Sequence, residues 1–204
     1  DATSHCFTFA YDPTASGRGR VSVSWDDGPV QEFLLDADHR AQGAIFDRFG
    51  VFSNQVPGRS LTFYIDDLTV NGMTYDFEQD PGWIEINNRA QYIEPVQYGS
   101  NDFGYSPTRY AGGGQGEIGG RMWRITPSHD QFKGWYGDPG IGTLTLDDRI
   151  HAHGKIALAQ ADTDAGIMLG YFNSEKQAFR PYNVLGVLIE GPSRLGHVFR
   201  PIYG

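Results

Sequence analysis

Cysteine is almost absent from this chain: its 204 residues include one, Cys6. A single thiol closes no intrachain disulfide and builds no cysteine metal centre. The expected place for Cys6 is the core or its rim. Lysine is also scarce, with 13 arginines and 3 lysines making up the 16 basic residues. The net charge is −9. No basic stripe is present to displace counterions, so nucleic acid is not an expected partner. No run of about 18 apolar residues occurs, so no helical membrane span is expected. No signal peptide is visible in the sequence, and a cleaved or trimmed N-terminus is the expectation.

What the chain has in quantity is glycine, 27 residues, and aromatic side chains, 14% of the total. That mixture suits short strands joined by tight turns better than helices. Arg20 to Trp25 alternates strictly, with Val21, Val23 and Trp25 on one face and Ser22 and Ser24 on the other. Asp26-Asp27-Gly28-Pro29 is hairpin chemistry, and the chain returns through Val30 to Leu35. Further strands are predicted at 5–11, 43–52 with a bulge at Gly50, 60–70, 117–125, 143–146, 154–160, 167–172, 184–190 and 196–199. Residues 83–114 read as mostly loop, and 128–142 as a long loop with room for one short helix. The expected fold class is all-β, a jelly-roll sandwich of two antiparallel sheets.

Several constellations carry chemistry. Gly114-Gln115-Gly116-Glu117-Ile118-Gly119 matches a dinucleotide-binding spacing, but a strand-like segment follows where a helix is required, so no nucleotide cofactor is expected. Read as a strand, the segment puts Glu117, Arg121 and Trp123 on one face, above glycines that leave the sheet surface low. A carboxylate, a guanidinium and an indole are groups that hold sugars. Tyr171 and Asn173 share a strand face and extend that surface. The plain alternative is an exposed ion pair beside a surface tryptophan, with Asn173 capping a strand end. The arginines suit acidic ligands, or simple pairing with the many aspartates.

Asp66-Asp67 lies inside a strand-like run, and Asp66 with Glu78 is the candidate calcium site. His151 and His153 share a face, as in some zinc sites, with His129 or Asp130 as the third ligand. For hydrolysis of a glycosidic bond the candidate acids are Glu117, Glu175 and Glu190. For a lyase the base is Tyr171 or His197, assisted by an arginine. No compact motif ties these residues together.

Two segments give the chain a family likeness. Phe63-Tyr64-Ile65-Asp66-Asp67-Leu68-Thr69-Val70 resembles the closing strand of concanavalin A-like and laminin-G-like sandwiches. Phe77-Glu78-Gln79-Asp80-Pro81-Gly82-Trp83 resembles the opening of one. With Gly43 to Gly50, Asp102 to Ser106, Gly116 to Gly120 and Gly170 to Ser174, the chain resembles tandem-domain bacterial extracellular proteins whose active residues are not settled. The resemblance implies a carbohydrate-binding module at the cell surface or outside it, with a glycan as partner. The alternatives are a polysaccharide lyase or glycoside hydrolase, and a structural or adhesive assembly domain. Residues 1–72 resemble the back half of such a domain and 73–204 the front half. Two arrangements follow: one domain over 1–204, equivalent to a circular permutant with neighbouring ends, or self-association through exchanged halves.

Overall fold

The computed structural model describes residues 3–53, 58–94, 97–124, 133–175, 183–194 and 196–204, with backbone only for 92–94, 97 and 98. It is an all-β sandwich of antiparallel sheets. The strands are β1 (Ser4–Asp12), β2 (Arg20–Trp25), β3 (Gln31–Leu34), β4 (Ile45–Phe46), β5 (Arg48–Ser53), β6 (Ser60–Val70), β7 (Met73–Tyr75), β8 (Ile84–Ile86) and β9 (Gln91–Glu94). They continue as β10 (Gln97–Ser100), β11 (Asp102–Ser106), β12 (Glu117–Trp123), β13 (Trp135–Asp138), β14 (Leu144–Thr145), β15 (Ile150–Ala161), β16 (Gly166–Phe172), β17 (Val184–Ser193) and β18 (Gly196–Tyr203).

The larger sheet has eight strands in the order β11-β12-β6-β15-β1-β2-β3, with β7 paired to β6. The other has six, β18-β17-β16-β5-β13-β8. Strands from before and after residue 72 alternate in both: β6 lies between β12 and β15, and β5 between β13 and β16. The polypeptide on each side of that point thus supplies neighbours for the other.

Period-two alternation builds the core. Phe7, Phe9 and Tyr11 of β1, Val21 and Val23 of β2, and Leu61, Phe63 and Ile65 of β6 point inward from the larger sheet. Phe49 and Val51, Ile167, Leu169 and Tyr171, and Leu185, Val187 and Ile189 meet them from the smaller. Each such side chain, fully buried, contributes about 1.5–3 kcal/mol.

The junction at residues 71–83 is built into this core. Asn71 and Gly72 both have positive φ, 48° and 87°, and close the β6–β7 hairpin as a two-residue turn. Phe77 and Trp83 are buried and pack with Tyr75 and Tyr136. The Tyr75 hydroxyl donates to Asp138 Oδ2, and Gly140 N–H donates to Asp138 Oδ1 at 2.7 Å.

The structure departs from these expectations at several points and adds one element they did not include. The stretch 83–114 holds β8 to β11, and Trp135–Asp138 forms β13 inside an expected loop. Ala37–Gln42 is a short helix, capped where the Asp36 side chain accepts from Asp38 N–H, and it buries nothing. Gly50 marks close backbone approach, not a bulge: a Cβ there would lie 2.1 Å from the Tyr136 carbonyl oxygen. One bulge is in β6, where Asp67 has φ 49° and the register with β15 slips around Gly154, and the same pair slips again between Leu158 and Gln160 on β15. Cys6 is exposed, on the outer face of β1.

Candidate functional site

The site begins with the cross-strand register at the centre of the larger sheet. Arg121 of β12 faces Thr62 of β6, and Thr62 faces Gln160 of β15. Their neighbours inward along the strands, Leu61, Phe63 and Met122, belong to the core, so this row lies on the outer face. One step toward the sheet end, Trp123 pairs with Ser60, whose backbone N–H donates to Asp162 Oδ2 at 3.1 Å. One step the other way, Gly119 pairs with Tyr64 and Tyr64 with Ala157. Adjacent strands lie ~4.8 Å apart and alternate residues ~6.7 Å apart, so the three rows form a face about the width of one sugar ring per row.

Glycine 119 decides what stands on that face. A Cβ there would lie 2.4 Å from Tyr64 Cδ1, so the missing side chain lets the Tyr64 ring lie across β12. The ring in turn stacks on Tyr110, with centroids 4.4 Å apart. The space over the glycine is therefore filled by tyrosine and is not open to a flat ligand. Burial raises the Tyr64 hydroxyl pKa above its ordinary value, with Tyr110, Glu117 and Asp102 adding smaller repulsions.

Tyr110 is carried by a loop that Glu117 holds down. Glu117 Oε1 accepts from Tyr110 N–H and Oε2 from Ala111 N–H, both at 2.8 Å. Ser4 Oγ donates to the Ala111 carbonyl. Gly112 packs on the buried Asp66 carboxylate so closely that a Cβ would sit 1.6 Å from Oδ2. Burial, foremost, pushes the Asp66 carboxyl up to about 6, with repulsion from Asp67 and Glu117 adding to it.

Two spaces open along this face. A trough of about 420 Å³ is lined by Arg59, Ser60, Thr62, Arg121, Trp123, Gln160 and Asp162. A cleft of about 1070 Å³ has Tyr64 and Tyr110 in its wall, together with His5, Trp25, His197 and Phe199. Thr62 and Gln160 line both, so the spaces adjoin. Trp25 and Phe199 pack at 4.6 Å, and the His5 ring stacks on Trp25 at 4.9 Å while its Nδ1 pairs with Asp26 Oδ2 at 2.7 Å. Polar hydrogen-bonding groups at one end and aromatic planes at the other suit an extended, hydroxyl-rich ligand.

The five residues expected to form one binding face do not converge. Arg121 is exposed in the trough. Trp123 lines it from the wall but is only 4% exposed, because Gly99 of β10 lies over the indole. Glu117 is fully buried as the loop clamp. Tyr171 belongs to the other sheet and to the core, where its hydroxyl donates to the His151 carbonyl at 2.9 Å and lies 3.1 Å from Asn71 Oδ1. Asn173 serves a turn: Nδ2 donates to the Ile45 carbonyl at 3.1 Å, and Oδ1 accepts from Glu175 N–H at 3.0 Å.

The candidate metal residues are likewise apart in environment. Asp66 is buried and its Oδ1 accepts from Asp67 N–H at 2.8 Å. Glu78 is exposed and is not among the charges acting on Asp66. Among the described residues no three His, Cys, Asp or Glu side chains are grouped to hold a metal ion. His151 and His153 are 5.3 Å apart, and burial lowers the His151 pKa, helped by His153. His129 and Asp130 lie outside the described residues. Of the candidate acids, Glu117 is buried in β12, Glu175 sits in the turn after β16, and Glu190 of β17 faces Arg200 at 3.9 Å.

Sequence reading missed Tyr64, Thr62, Gln160, Arg59 and Tyr110. Thr62 and Tyr64 had a signal, being the polar phase of the alternating first half of β6. Tyr110 had none, because its place depends on a buried clamp remote from any local pattern. Comparison with known proteins found no family model, no curated protein and no solved structure that matches this chain.

Proposed function

We propose that this chain is a carbohydrate-binding module, and that the ligand lies along the outer face of the eight-stranded sheet. The observation that supports this most is the row Arg121–Thr62–Gln160 beside the stacked Tyr64–Tyr110 pair. A sugar offers hydroxyls at its rim and C–H groups on its face. Amide, hydroxyl and guanidinium groups serve the first, and aromatic planes the second. Rigid strands hold the row, and a clamped loop holds Tyr110, so little ordering cost remains for binding. Such a module belongs outside the cell or at its surface, where polysaccharides are met.

A panel of soluble glycans, screened by array and then by titration calorimetry, tests the reading. Tyr110→Ala should weaken the best ligand by roughly 5- to 30-fold, the loss of about 1–2 kcal/mol of aromatic contact, while leaving thermal unfolding nearly unchanged. Absence of binding across neutral and anionic glycans would sink the proposal.

A further inference from the structure

We infer that the ligand carries carboxylate or sulfate groups and that Arg59 and Arg121 read them; the inference rests on the carbohydrate reading above. The chain has a net charge of −9 and 13 arginines. Six of them, Arg20, Arg40, Arg48, Arg89, Arg149 and Arg200, each face a carboxylate. Arg59 and Arg121 do not: among the described residues neither guanidinium has a carboxylate partner or a hydrogen bond. Both are exposed, and both line the same trough. Arg109 and Arg194 are also exposed and have no partner among the described residues, but they do not line it.

Arg121 is held as well as placed. Its guanidinium carbon lies 5.4 Å from the centroid of the Trp123 ring. That ring is itself fixed beneath Gly99, and among the described residues its indole N–H has no hydrogen-bond partner. A guanidinium stacked on a buried indole keeps its planar edge free, the geometry that accepts a carboxylate or sulfate through two parallel hydrogen bonds.

Among the described residues the trough contains one opposing carboxylate, Asp162. Its Oδ2 accepts the Ser60 N–H, so part of its charge is already answered by the backbone. Two arginines against one aspartate leave the trough formally positive on a strongly acidic protein. Thr62 and Gln160, between the trough and the aromatic cleft, supply hydroxyl and amide contacts to the same ligand. The implied ligand is therefore a uronate-containing or sulfated oligosaccharide, its anionic group over the arginines and its ring faces along Tyr64 and Tyr110.

The test is titration calorimetry of the whole chain against an oligouronate, a sulfated galactan oligosaccharide, a neutral cello-oligosaccharide and inorganic sulfate. At 50 mM salt the better anionic oligosaccharide should bind at least about tenfold more tightly than the neutral one, as charge-assisted hydrogen bonds allow. That advantage should shrink as salt rises toward 0.5 M. Arg59→Gln with Arg121→Gln should abolish it without lowering the melting temperature. Equal, salt-insensitive binding of neutral and anionic sugars would overturn the anionic inference and leave the carbohydrate reading standing. Binding of inorganic sulfate as tightly as any oligosaccharide, with no gain from the sugar, would overturn both. No binding of any sugar would do the same.

Discussion

The outer faces of the two sheets follow one backbone rule and come out opposite. On the eight-stranded sheet the outward phase of β12, β6 and β15 is Arg121, Thr62 and Gln160, left open as a trough. On the six-stranded sheet the outward phase of β13, β5, β16 and β17 is Trp135, Phe52, Met168 and Leu188 in one row, and Gly137, Gly50, Gly170 and Gly186 in the next. Phe172 and Val184 complete a second apolar cluster there, and all its members are buried. The row of glycines makes that cluster possible. It brings backbones close, and it leaves a furrow into which the Phe172 ring drops, 3.1 Å from where a Gly137 Cβ would stand. Glycine therefore serves opposite ends on the two faces. On the smaller sheet it brings strand backbones close and, at Gly137, lets the Phe172 ring lie beside a buried apolar cluster. On the larger, Gly119 lets one ring, Tyr64, lie down and border an open site.

The comparison can be broken first where the packing is tightest. Gly50→Val would drive a branched side chain into the Tyr136 carbonyl and should cost more than about 3 kcal/mol, or prevent folding. Chemical denaturation measures the loss. A stable Gly50→Val protein would mean that the glycine row is not required for the sealed face.

A smaller effect separates clamp from site. Glu117→Gln keeps the shape of the side chain but weakens two charge-assisted hydrogen bonds to Tyr110 and Ala111. It should cost about 1–3 kcal/mol of stability. It should also reduce glycan binding, because Tyr110 loses its fixed position. Faster hydrogen exchange confined to the 110–111 amides is the expected signature. Unchanged exchange there would show that Glu117 does not hold the loop.

A third effect, spread over a pH range, is a pH dependence beneath that loop. The Asp66 carboxyl titrates near 6 when folded, against an ordinary 3.8. A raised carboxyl pKa makes its contribution fully present below about 3.8 and progressively lost as pH rises through about 6. Stability should fall across that window by at most about 3 kcal/mol from this group. Asp66→Asn should flatten the slope and be the more stable protein at pH 8. An identical pH profile in the variant would remove Asp66 as its source.

The two faces also differ in how much of them could be read in advance. Arg20–Trp25 was legible to the residue, because strict alternation leaves no other phase for Val21 and Val23. The sandwich as a class followed from many such segments. Strands β8 to β11 were not legible, since three- to five-residue strands broken by Asn, Gly and Asp carry too little periodicity. At the site, the phase of β12 was read correctly: Ile118 and Met122 are core and Arg121 faces out. The burial of Glu117 and Trp123 was not, because what covers them comes from residues 110–111 and Gly99, fixed by tertiary packing alone. Tyr171 misled for the same reason. Its polar hydroxyl suggested a surface, but the backbone of β15 satisfies it inside the core.

Filling the trough tests the whole account most directly. Thr62 is the shared floor of trough and cleft, so Thr62→Trp places a bulky ring in the proposed path. Met168→Leu makes a conservative change on the sealed face as its control. Both are titrated by calorimetry against the best-binding glycan, with melting temperatures measured in parallel. The expected result is binding lost in Thr62→Trp and kept in Met168→Leu, with both proteins folded. Full binding by folded Thr62→Trp would contradict the placement of the ligand on the outer face of the eight-stranded sheet.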